Sequence, residues 1–572
     1  MTSDTRPTVD RSAQTRSWAP AGIGDAQIRV ALGLAMVASV VLGLWFSRDT
    51  SFWYDELDWF STTPDFDLEY VFEPYIGHLI GTSRIVYAAA LNVFGGADYL
   101  PFRVLTAGVV LLTAGLFFVF AKRRVGALVA LAPTLVLLFY GSDSLHVLSG
   151  NGLTVLLSVA AGVGALIALD RGRPRSDLGA CLLLCLAVGS YSEGLPFVAG
   201  AAVLILLGPD RRRRAWVFVL PALLYVAWWA WANAGAESTT ESNVAISNLL
   251  LAPDWALNSL ASIGAAVTGL GYAFGGVGSF DPAWGVLVAF AALVVLGWRL
   301  SRGDVPRWLW ATMAVPATFW LLHATAASPG AARGPENPRY LFAGTVAVLL
   351  VAAEAARGVR LGRGAIIALY AAAAVGIATN IALLRDRSED YANQASQRLA
   401  NLTAAELAGR VGVVAGVRLT GTVMREVGQT NVTTGYLEAA RELGSPAFSV
   451  PELREQHDLI RSSADQALAD GLGLGLEAST ARPVECRRAT RERGGRTVFE
   501  LPREGAVLRT NDGPAPLRLR RFGTEFAVEA GELQPGVPTL LSIPPDAAPD
   551  PWYAETPAAA VRVCDASVGG ES

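Results

Sequence analysis

Apolar residues form long runs separated by short polar loops over the first two thirds of the chain. A helix needs about 20 apolar residues to cross a bilayer. The runs that approach this length predict eleven spans, at 28–47, 101–121, 125–141, 152–169, 178–191, 194–208, 215–232, 283–300, 308–326, 340–356 and 365–384. This pattern predicts a polytopic α-helical membrane protein whose membrane domain covers residues 28–384.

Basic residues mark every second loop between these spans. Clusters of Lys and Arg occur at 122–124, 171–175, 211–214, 299–307 and 357–363. Because such clusters collect on the cytoplasmic side of a membrane, we predict a cytoplasmic N-terminus and an external position for everything after residue 384. The composition agrees with a membrane protein, since 52% of the 572 residues are hydrophobic and only 17% are charged.

The segments around the spans have patterns of their own. Residues 1–27 are polar without apolar periodicity, which predicts a disordered cytoplasmic tail. The external loop at 48–100 is acidic at its start, and its residues 76–95 predict an amphipathic helix lying along the outer interface. A similar lateral helix is predicted at 254–275.

The polar C-terminal part predicts an extracytoplasmic α+β region. Residues 385–480 carry Ala, Leu and charged residues at helical spacing, and residues 481–572 carry short alternating runs typical of a β-sandwich. In an oxidising compartment, Cys486 and Cys564 could form a disulfide that closes this module; the alternative is two unrelated thiols. We expect the module to be a structural cap, with carbohydrate binding as the alternative.

Polar side chains occur within interface-type sequence at five places, and the predicted topology puts all five on the outer side. The first is the stretch SFWYDELDWF at 51–60, where Asp55, Glu56 and Asp58 lie among aromatic residues. Carboxylates are costly to bury in hydrocarbon, whereas Trp and Tyr favour the membrane interface. The other candidate binding residues are Glu73, His78 and Arg84, Asp143 and His146, Glu193, and Arg339 and Tyr340.

Carboxylates, imidazoles and a guanidinium at an outer interface fit a transferase that uses an anionic, lipid-linked donor. A carboxylate can take the proton of an attacking hydroxyl, and Arg can bind a phosphate through two N–H groups. Taken singly, each feature has a plainer explanation: solvated acidic surface, ordinary interfacial histidines at His78 and His146, or a span anchor at Arg339. Their occurrence together favours a functional site.

This arrangement resembles the GT-C superfamily of membrane glycosyltransferases, which use polyprenyl-phosphate sugars. The features that carry the resemblance are the acidic motif YDE at 54–56, the histidine that follows it at His78, and the Arg-Tyr pair at 339–340 that opens a late span. The run EPYIGHLIGTSRIVYAAALNVFGGADYLPFRV, followed by GSDSLHVLSGNG, is also similar to a group of actinobacterial multi-span proteins. The resemblance covers about residues 28–384.

The resemblance implies roles for individual residues. Asp55 would be the catalytic base or lie close to it, with Glu56 as its catalytic neighbour. Asp143 would be a second acidic residue for the acceptor or a metal, and Arg339 would contact the donor phosphate. The resemblance also allows a divalent cation as cofactor, Mg²⁺ or Mn²⁺, with Asp55 and Asp143 as its ligands.

We therefore expect an inverting glycosyltransferase in a bacterial plasma membrane. It would move a hexosyl or pentosyl group from a polyprenyl-phosphate donor to a cell-envelope glycan or protein on the outer face. The alternatives are a non-catalytic scaffold of the same architecture and a lipid or glycan transporter, which would carry ionisable residues near mid-span. Because the chain has no basic domain, nucleic-acid binding is not expected.

Overall fold

The computed structural model describes residues 24–234, 245–273, 281–326, 334–409, 432–479, 485–490 and 495–565. Most of the predicted tail at 1–27 lies outside these residues. Helices dominate the chain up to residue 472, and strands follow. The first helices are α1 (Asp25–Phe46), α2 (Tyr54–Thr62), α3 (Leu68–Phe72), α4 (Gly81–Phe94), α5 (Leu100–Val125), α6 (Ala127–Leu138), α7 (Ser144–Leu148), α8 (Leu153–Leu169), α9 (Pro174–Ser190) and α10 (Gly194–Leu206).

The later helices complete the membrane part and lead into the C-terminal region. They are α11 (Arg211–Arg214), α12 (Trp216–Ala234), α13 (Ala252–Thr268), α14 (Leu270–Ala273), α15 (Ala283–Ser301), α16 (Arg307–Thr325), α17 (Leu341–Ala355), α18 (Arg363–Gly409), α19 (Val432–Leu443), α20 (Val450–Glu455) and α21 (Asp458–Leu472).

Every one of the eleven predicted spans coincides with a helix. In the part of the chain that the structure describes, seven helices are long and apolar enough to cross a membrane. The predicted spans on α6, α9, α10 and α16 are shorter or more polar, so the count of eleven stays a prediction. The predicted fold class, a polytopic helical membrane protein with a C-terminal β-rich module, is confirmed. The seven helices are Asp25–Phe46, Leu100–Val125, Gly150–Leu169, Trp216–Ala234, Ala283–Ser301, Pro338–Ala355 and Arg363–Gly409.

The most buried helix of the bundle is α8. It is apolar on all sides. In the most apolar 18-residue stretch of this span, 94% is buried against other helices, compared with 6% in the equivalent stretch of α1. A helix that is hydrophobic all round belongs in an interior, whereas one face of α1 is left to the surroundings. Gly162 lets α8 approach α10 closely, because a Cβ there would lie 2.2 Å from the ring of Phe197.

Charged residues at one end of the bundle pair with each other across helices. Arg124 is 2% exposed at its side chain and donates to the fully buried carboxylate of Glu354, which joins α5 to α17. The ends that meet here are those that the charge pattern predicts to be cytoplasmic. Two further pairs join neighbouring helix ends there, Arg123 with Asp170 at 3.0 Å and Arg214 with Asp177 at 2.6 Å.

Helices occur at both predicted interfacial segments. The first, α4, begins at Gly81, and the second, α13, begins at Ala252. The second half of α13 is buried at every position from Ser259 to Ala266, and Trp255 is buried in its first half. Their orientation along an interface remains a prediction.

The 47-residue helix α18 connects the bundle to the C-terminal region. At 1.5 Å per residue it is about 70 Å long, and it continues without a break through the predicted domain boundary at 384/385. Its last turns, including Ala404 and Ala408, belong to a second hydrophobic core that they share with α21 and the strands.

The strands form two packed sheets. The five-stranded sheet has the order β1-β7-β4-β9-β2, and the four-stranded sheet has the order β3-β8-β5-β6. Leu508 of one sheet and Leu517 of the other lie in one core, so the module is a β-sandwich. Cys486 and Cys564 face each other in the register of β2 and β9 and are joined by a disulfide. The strands are β1 (Leu476–Ala478), β2 (Cys486–Thr490), β3 (Thr497–Glu500), β4 (Gly505–Arg509), β5 (Ala515–Arg520), β6 (Val528–Leu533), β7 (Thr539–Ser542), β8 (Tyr553–Thr556) and β9 (Ala560–Asp565).

Two carboxylates on α21 hold the sandwich against the helical region. Asp465 accepts hydrogen bonds from the backbone N–H groups of residues 521, 522 and 523. Asp458 accepts from those of residues 524, 525 and 526. Six consecutive backbone donors of one loop are thereby satisfied by a single helix, which fixes the sandwich to α21.

The C-terminal helical region also packs on the first loop. The Arg398 guanidinium of α18 donates to the carbonyl of Phe52 at 3.0 Å, and the ring of Tyr436 in α19 lies 5.7 Å from that of Phe60. The N–H of Gly96 donates to the carbonyl of Leu443 at 2.7 Å. Helix α2 is therefore held between the bundle and the C-terminal region.

Candidate functional site

A polar cavity of about 380 Å³ lies where the predicted outer loops meet. This volume is within the range of small-molecule sites. All five groups of candidate residues from the sequence contribute to its wall or lie directly behind it. The polar side chains of the wall are Asp55, His78, His146, Asn151, Thr154, Ser192, Glu193, His323 and Arg339, and the aromatic rings are those of Trp53, Trp59, Tyr75, Tyr191 and Tyr340.

Asp55 lies in the first turn of α2 and faces this polar cavity. Its carboxylate accepts a hydrogen bond from the Asn151 side-chain amide at 3.1 Å and another from Tyr75. Burial raises the pKa of Asp55 above its ordinary value, while these hydrogen bonds and the positive charge of Arg339 act in the opposite direction. A carboxylate with a raised pKa is a stronger base than one in water.

His146 lies near Asp55 in the wall and is held by a buried carboxylate. Nδ1 of His146 is 2.9 Å from Oδ2 of Asp143, which is fully buried and also caps α7 by accepting from the backbone N–H of His146. Because a carboxylate only accepts, Nδ1 carries a proton, and Nε2 is left for the cavity side. Asp143 therefore lies behind the wall and orients His146.

A tight turn presents Tyr75 and His78 to the cavity. The two residues exchange backbone hydrogen bonds of 3.0 and 2.9 Å across Ile76 and Gly77. Both central residues have positive φ, 48° at Ile76 and 78° at Gly77, which is strained for the β-branched Ile76. The His78 ring stacks on Tyr191 at 4.3 Å, and its Nδ1 is 2.6 Å from the Ser192 hydroxyl.

Glu193 and His323 form a second acid–imidazole pair in the same wall. Oε1 of Glu193 is 3.3 Å from Nε2 of His323, and Glu193 is 5% exposed. The His323 ring lies against Trp255, Phe319 and Tyr340, with ring centroids 4.3 to 5.5 Å apart. The cavity thus carries two carboxylates, each with a histidine nearby.

Arg339 and Tyr340 close the wall at the start of α17. The Arg339 guanidinium lies 5.1 Å from the centroid of the Tyr340 ring, and its charge acts on both Asp55 and Tyr191. Asn337 fixes the local backbone by accepting from the N–H of Arg339. A guanidinium beside a carboxylate can hold an anionic group while the carboxylate takes a proton.

Glu56 lies behind the cavity wall. It is fully buried and accepts hydrogen bonds from the Trp53 N–H at 2.8 Å, the Tyr87 hydroxyl at 3.0 Å and the Tyr99 hydroxyl at 2.8 Å. Burial raises the pKa of Glu56 to about 7. The tyrosines come from α4 and the residue before α5, so this carboxyl group joins three segments around the first loop.

The structure places Asp58, Glu73 and Arg84 beside the cavity but outside its wall. Arg84 is 2% exposed and donates to the carbonyls of Tyr70 and Glu73, which holds the chain after α3. Burial raises the pKa of Asp58 to about 6, and the Arg84 charge opposes that effect. These contacts tie the loop together and do not direct the three side chains at the cavity.

The sequence suggested Asp55 and Asp143 as ligands of a divalent cation. Oδ2 of Asp143 contacts the His146 ring. Within the described ranges, no group of three or more His, Cys, Asp or Glu side chains could hold a metal ion. A two-carboxylate site at Asp55 and Asp143 stays a prediction, and the proposed reaction uses no metal.

Several residues of the wall were not singled out from the sequence. Tyr75, Asn151, Tyr191 and Ser192 are common interfacial or loop residues that carry no distinctive motif. His323 lies within a predicted span, and one signal could have found it. The chain has only four histidines, and three of them line this cavity.

No protein-family model matches this chain, and no curated protein matches it significantly. Among solved structures, it is similar to ArnT from Cupriavidus metallidurans bound to undecaprenyl phosphate, with a TM-score of 0.43 and 12% identity over 73% of this chain and 90% of that one. It is also similar to the same protein in the apo state, with a TM-score of 0.35 and 15% identity over 79% of this chain and 96% of that one.

Proposed function

We propose that the protein is an inverting membrane glycosyltransferase of GT-C type that takes its sugar from a polyprenyl-phosphate donor. The observation that carries the proposal is the shared wall of the polar cavity, where Asp55 and Arg339 lie close enough for the Arg339 charge to act on the carboxylate. The acceptor is a hydroxyl of a cell-envelope glycan or protein.

The proposed reaction is a single displacement. The acceptor O–H gives its proton to Asp55, and the acceptor oxygen attacks the anomeric carbon of the sugar. The bond from that carbon to the phosphate oxygen breaks, and polyprenyl phosphate leaves with the electron pair, stabilised by Arg339. One displacement inverts the anomeric configuration, in contrast to the two displacements of a retaining enzyme.

The remaining wall residues support this chemistry through position. Asn151 donates to Oδ2 of Asp55 at 3.1 Å and so fixes the orientation of this carboxylate. Asp143 fixes the His146 ring beside it. The aromatic rings of Trp53, Trp59 and Tyr75 offer apolar faces against which a sugar ring can pack.

The proposed location is the outer face of a bacterial plasma membrane, with the N-terminus in the cytoplasm. The cavity lies at the end of the bundle that also contacts the C-terminal region, as the Arg398 bond to the Phe52 carbonyl shows. The arginine-rich helix ends lie at the other end, which the positive-inside rule assigns to the cytoplasm.

The test replaces the two central residues in cells that depend on the protein. Asp55→Asn and Arg339→Gln should lower transfer, by about 10²–10⁴-fold for loss of the base. Glu69→Gln is the matched control, because Glu69 is an exposed carboxylate on neighbouring α3. The readout is the sugar composition of cell-envelope glycans, with expression checked by immunoblot. Variants that are well expressed and leave this composition at the wild-type level would refute the proposal.

A further inference from the structure

One carboxylate oxygen of Glu193, a residue of the cavity wall, makes no hydrogen bond within the part of the chain that the structure describes. Oε2 of Glu193 is buried and has no hydrogen-bond partner among the residues that the structure describes. Glu193 precedes the first turn of α10, where a side chain commonly accepts from the helix N–H groups, yet it makes no such bond. Leaving a buried acceptor unmatched costs about 1–3 kcal/mol, so this oxygen requires an explanation.

The other oxygen of Glu193 is committed to His323. Nδ1 of His323 is 2.8 Å from the Phe319 carbonyl oxygen, which can only accept, so Nδ1 carries a proton. Nε2 then faces Oε1 of Glu193 at 3.3 Å. Ring contacts with Trp255 and Tyr340 hold the imidazole in this orientation.

Whether the proton between Glu193 and His323 lies on the carboxyl group or on the imidazole does not change the hydrogen-bonding role of Oε2. If the imidazole is cationic, Nε2 donates to an ionised Glu193; if it is neutral, a protonated Oε1 donates to Nε2. In both cases Oε2 has lone pairs and no hydrogen, so it can only accept. The group that meets it must bring an O–H or N–H, and an anionic group would be repelled.

The two charged residues of the wall, Arg339 and Glu193, therefore differ in the hydrogen bonds that they can make. Arg339 offers only donors and favours the anionic part of a ligand, whereas Glu193 offers only an acceptor. Tyr191 lines the same wall and is affected by the charges of both. A ligand with a phosphate at one end and hydroxyls at the other matches this order.

From this we infer that Oε2 of Glu193 accepts a hydrogen bond from a hydroxyl of the donor sugar, and that His323 is the positioning residue that directs it. The inference rests on the proposed function. Glu193 then distinguishes a polyprenyl-phosphate sugar from polyprenyl phosphate alone, because the bare lipid has no hydroxyl to offer at that position. The contact between the lipid phosphate and Arg339 is common to both ligands.

The experiment measures the affinity of the full-length protein in nanodiscs for three probes: polyprenyl phosphate, polyprenyl-phosphate mannose and polyprenyl-phosphate arabinose. The wild type should bind at least one sugar-bearing lipid more tightly than the bare lipid. Glu193→Leu should reduce that preference by about tenfold or more, as expected for loss of a hydrogen bond to a charged acceptor. Its affinity for the bare lipid should not fall below the wild-type value, because Glu193 makes no favourable contact with the phosphate.

Glu193→Gln is the rescue variant. Its amide N–H₂ can donate to Nε2 of His323 and leave the amide oxygen facing the cavity, so most of the preference should return. Glu69→Gln is the control for an exposed carboxylate on the same side of the bundle. Bare-lipid binding reports folding in every sample, and Glu193→Ala replaces the Leu variant if that one fails to bind.

The outcomes separate the inference from the function on which it rests. A wild-type protein that binds bare and sugar-bearing lipids equally would overturn the inference, whereas a wild-type protein that binds none of the three lipids would also contradict the proposed function. A wild-type preference that persists in Glu193→Leu or Glu193→Ala would overturn the role of Glu193 alone. Loss of the preference in both Glu193→Leu and Glu193→Gln would assign the effect to the charge of Glu193 and refute hydroxyl acceptance by Oε2.

Discussion

Replacing Glu56 tests whether this acidic residue is structural or catalytic. Glu56→Ala would leave three donors without their acceptor, the N–H of the half-buried Trp53 and the hydroxyls of the buried Tyr87 and Tyr99. Each such loss costs about 1–3 kcal/mol. Because the two hydroxyls can rotate toward other partners, we expect a total near the lower end, about 3–5 kcal/mol. That is a large part of the 5–15 kcal/mol that stabilises a typical protein.

The assay compares the thermal unfolding of detergent-purified Glu56→Ala, Glu56→Gln and Glu69→Gln with that of the wild type. The Gln variant keeps the shape of the side chain and should lose less stability than the Ala variant. The exposed Glu69 should change stability by no more than about 0.5 kcal/mol. An Ala variant that is as stable as the wild type but inactive in sugar transfer would refute this reasoning and return Glu56 to the catalytic group.

The pH dependence of stability offers a second readout of the same residue. Burial raises the pKa of Glu56 to about 7, compared with an ordinary value of 4.5. Between these values the folded protein binds a proton that the unfolded chain does not, so stability should fall as the pH rises through this window. At 1.36 kcal/mol per pH unit the full effect is about 3 kcal/mol. Glu56→Gln should remove this component, and an unchanged pH profile in that variant would contradict the assignment.

Two further predictions concern the framework. Glu354→Ala removes the buried carboxylate that pairs with Arg124 and leaves it only the longer contact with Asp170 at 3.6 Å. This variant should lower the free energy of unfolding by about 3–5 kcal/mol. Asp390→Ala, in an exposed pair, should cost less than about 1 kcal/mol, and equal melting temperatures for the two variants would contradict this. The disulfide joins two cysteines that are 78 residues apart in the chain and so restricts the unfolded state. Its removal by Cys486→Ser should therefore destabilise the sandwich by about 4 kcal/mol. Thiol titration of the denatured, unreduced wild type should detect two thiols, those of Cys181 and Cys185; four would contradict the bond.

Much of the architecture follows from two patterns in the sequence. The apolar runs locate all eleven predicted spans on helices, and the alternation of arginine clusters separates the loops into two sets. The structure brings one set together around the polar cavity. This convergence is predictable because loops on one side of a bundle share a limited area. The helical and sandwich parts of the C-terminal region follow from their different residue periods.

The side-chain directions within the loops were harder to predict. Asp55 and Glu56 are adjacent, yet one faces the cavity and the other joins Tyr87 and Tyr99 in the core. Helical spacing indicates that they diverge, but which of them faces the cavity depends on partners far away in the chain. His323 shows the same limit, because its place opposite Glu193 arises only from the packing of α16 against α10.

The C-terminal region supports the segment that carries the proposed base. Asp55 lies on α2, a helix of nine residues that is too short to be stable alone. Its start is held by the bond from Arg398 to the Phe52 carbonyl, and its far side packs through Phe60 against Tyr436. Both contacts come from residues that follow the last predicted span, Arg398 on the continuation of α18 and Tyr436 on α19. The position of the proposed base is therefore set by the C-terminal helices, and the sandwich is fixed to these through α21. This arrangement favours the structural role over carbohydrate binding for the β-rich module.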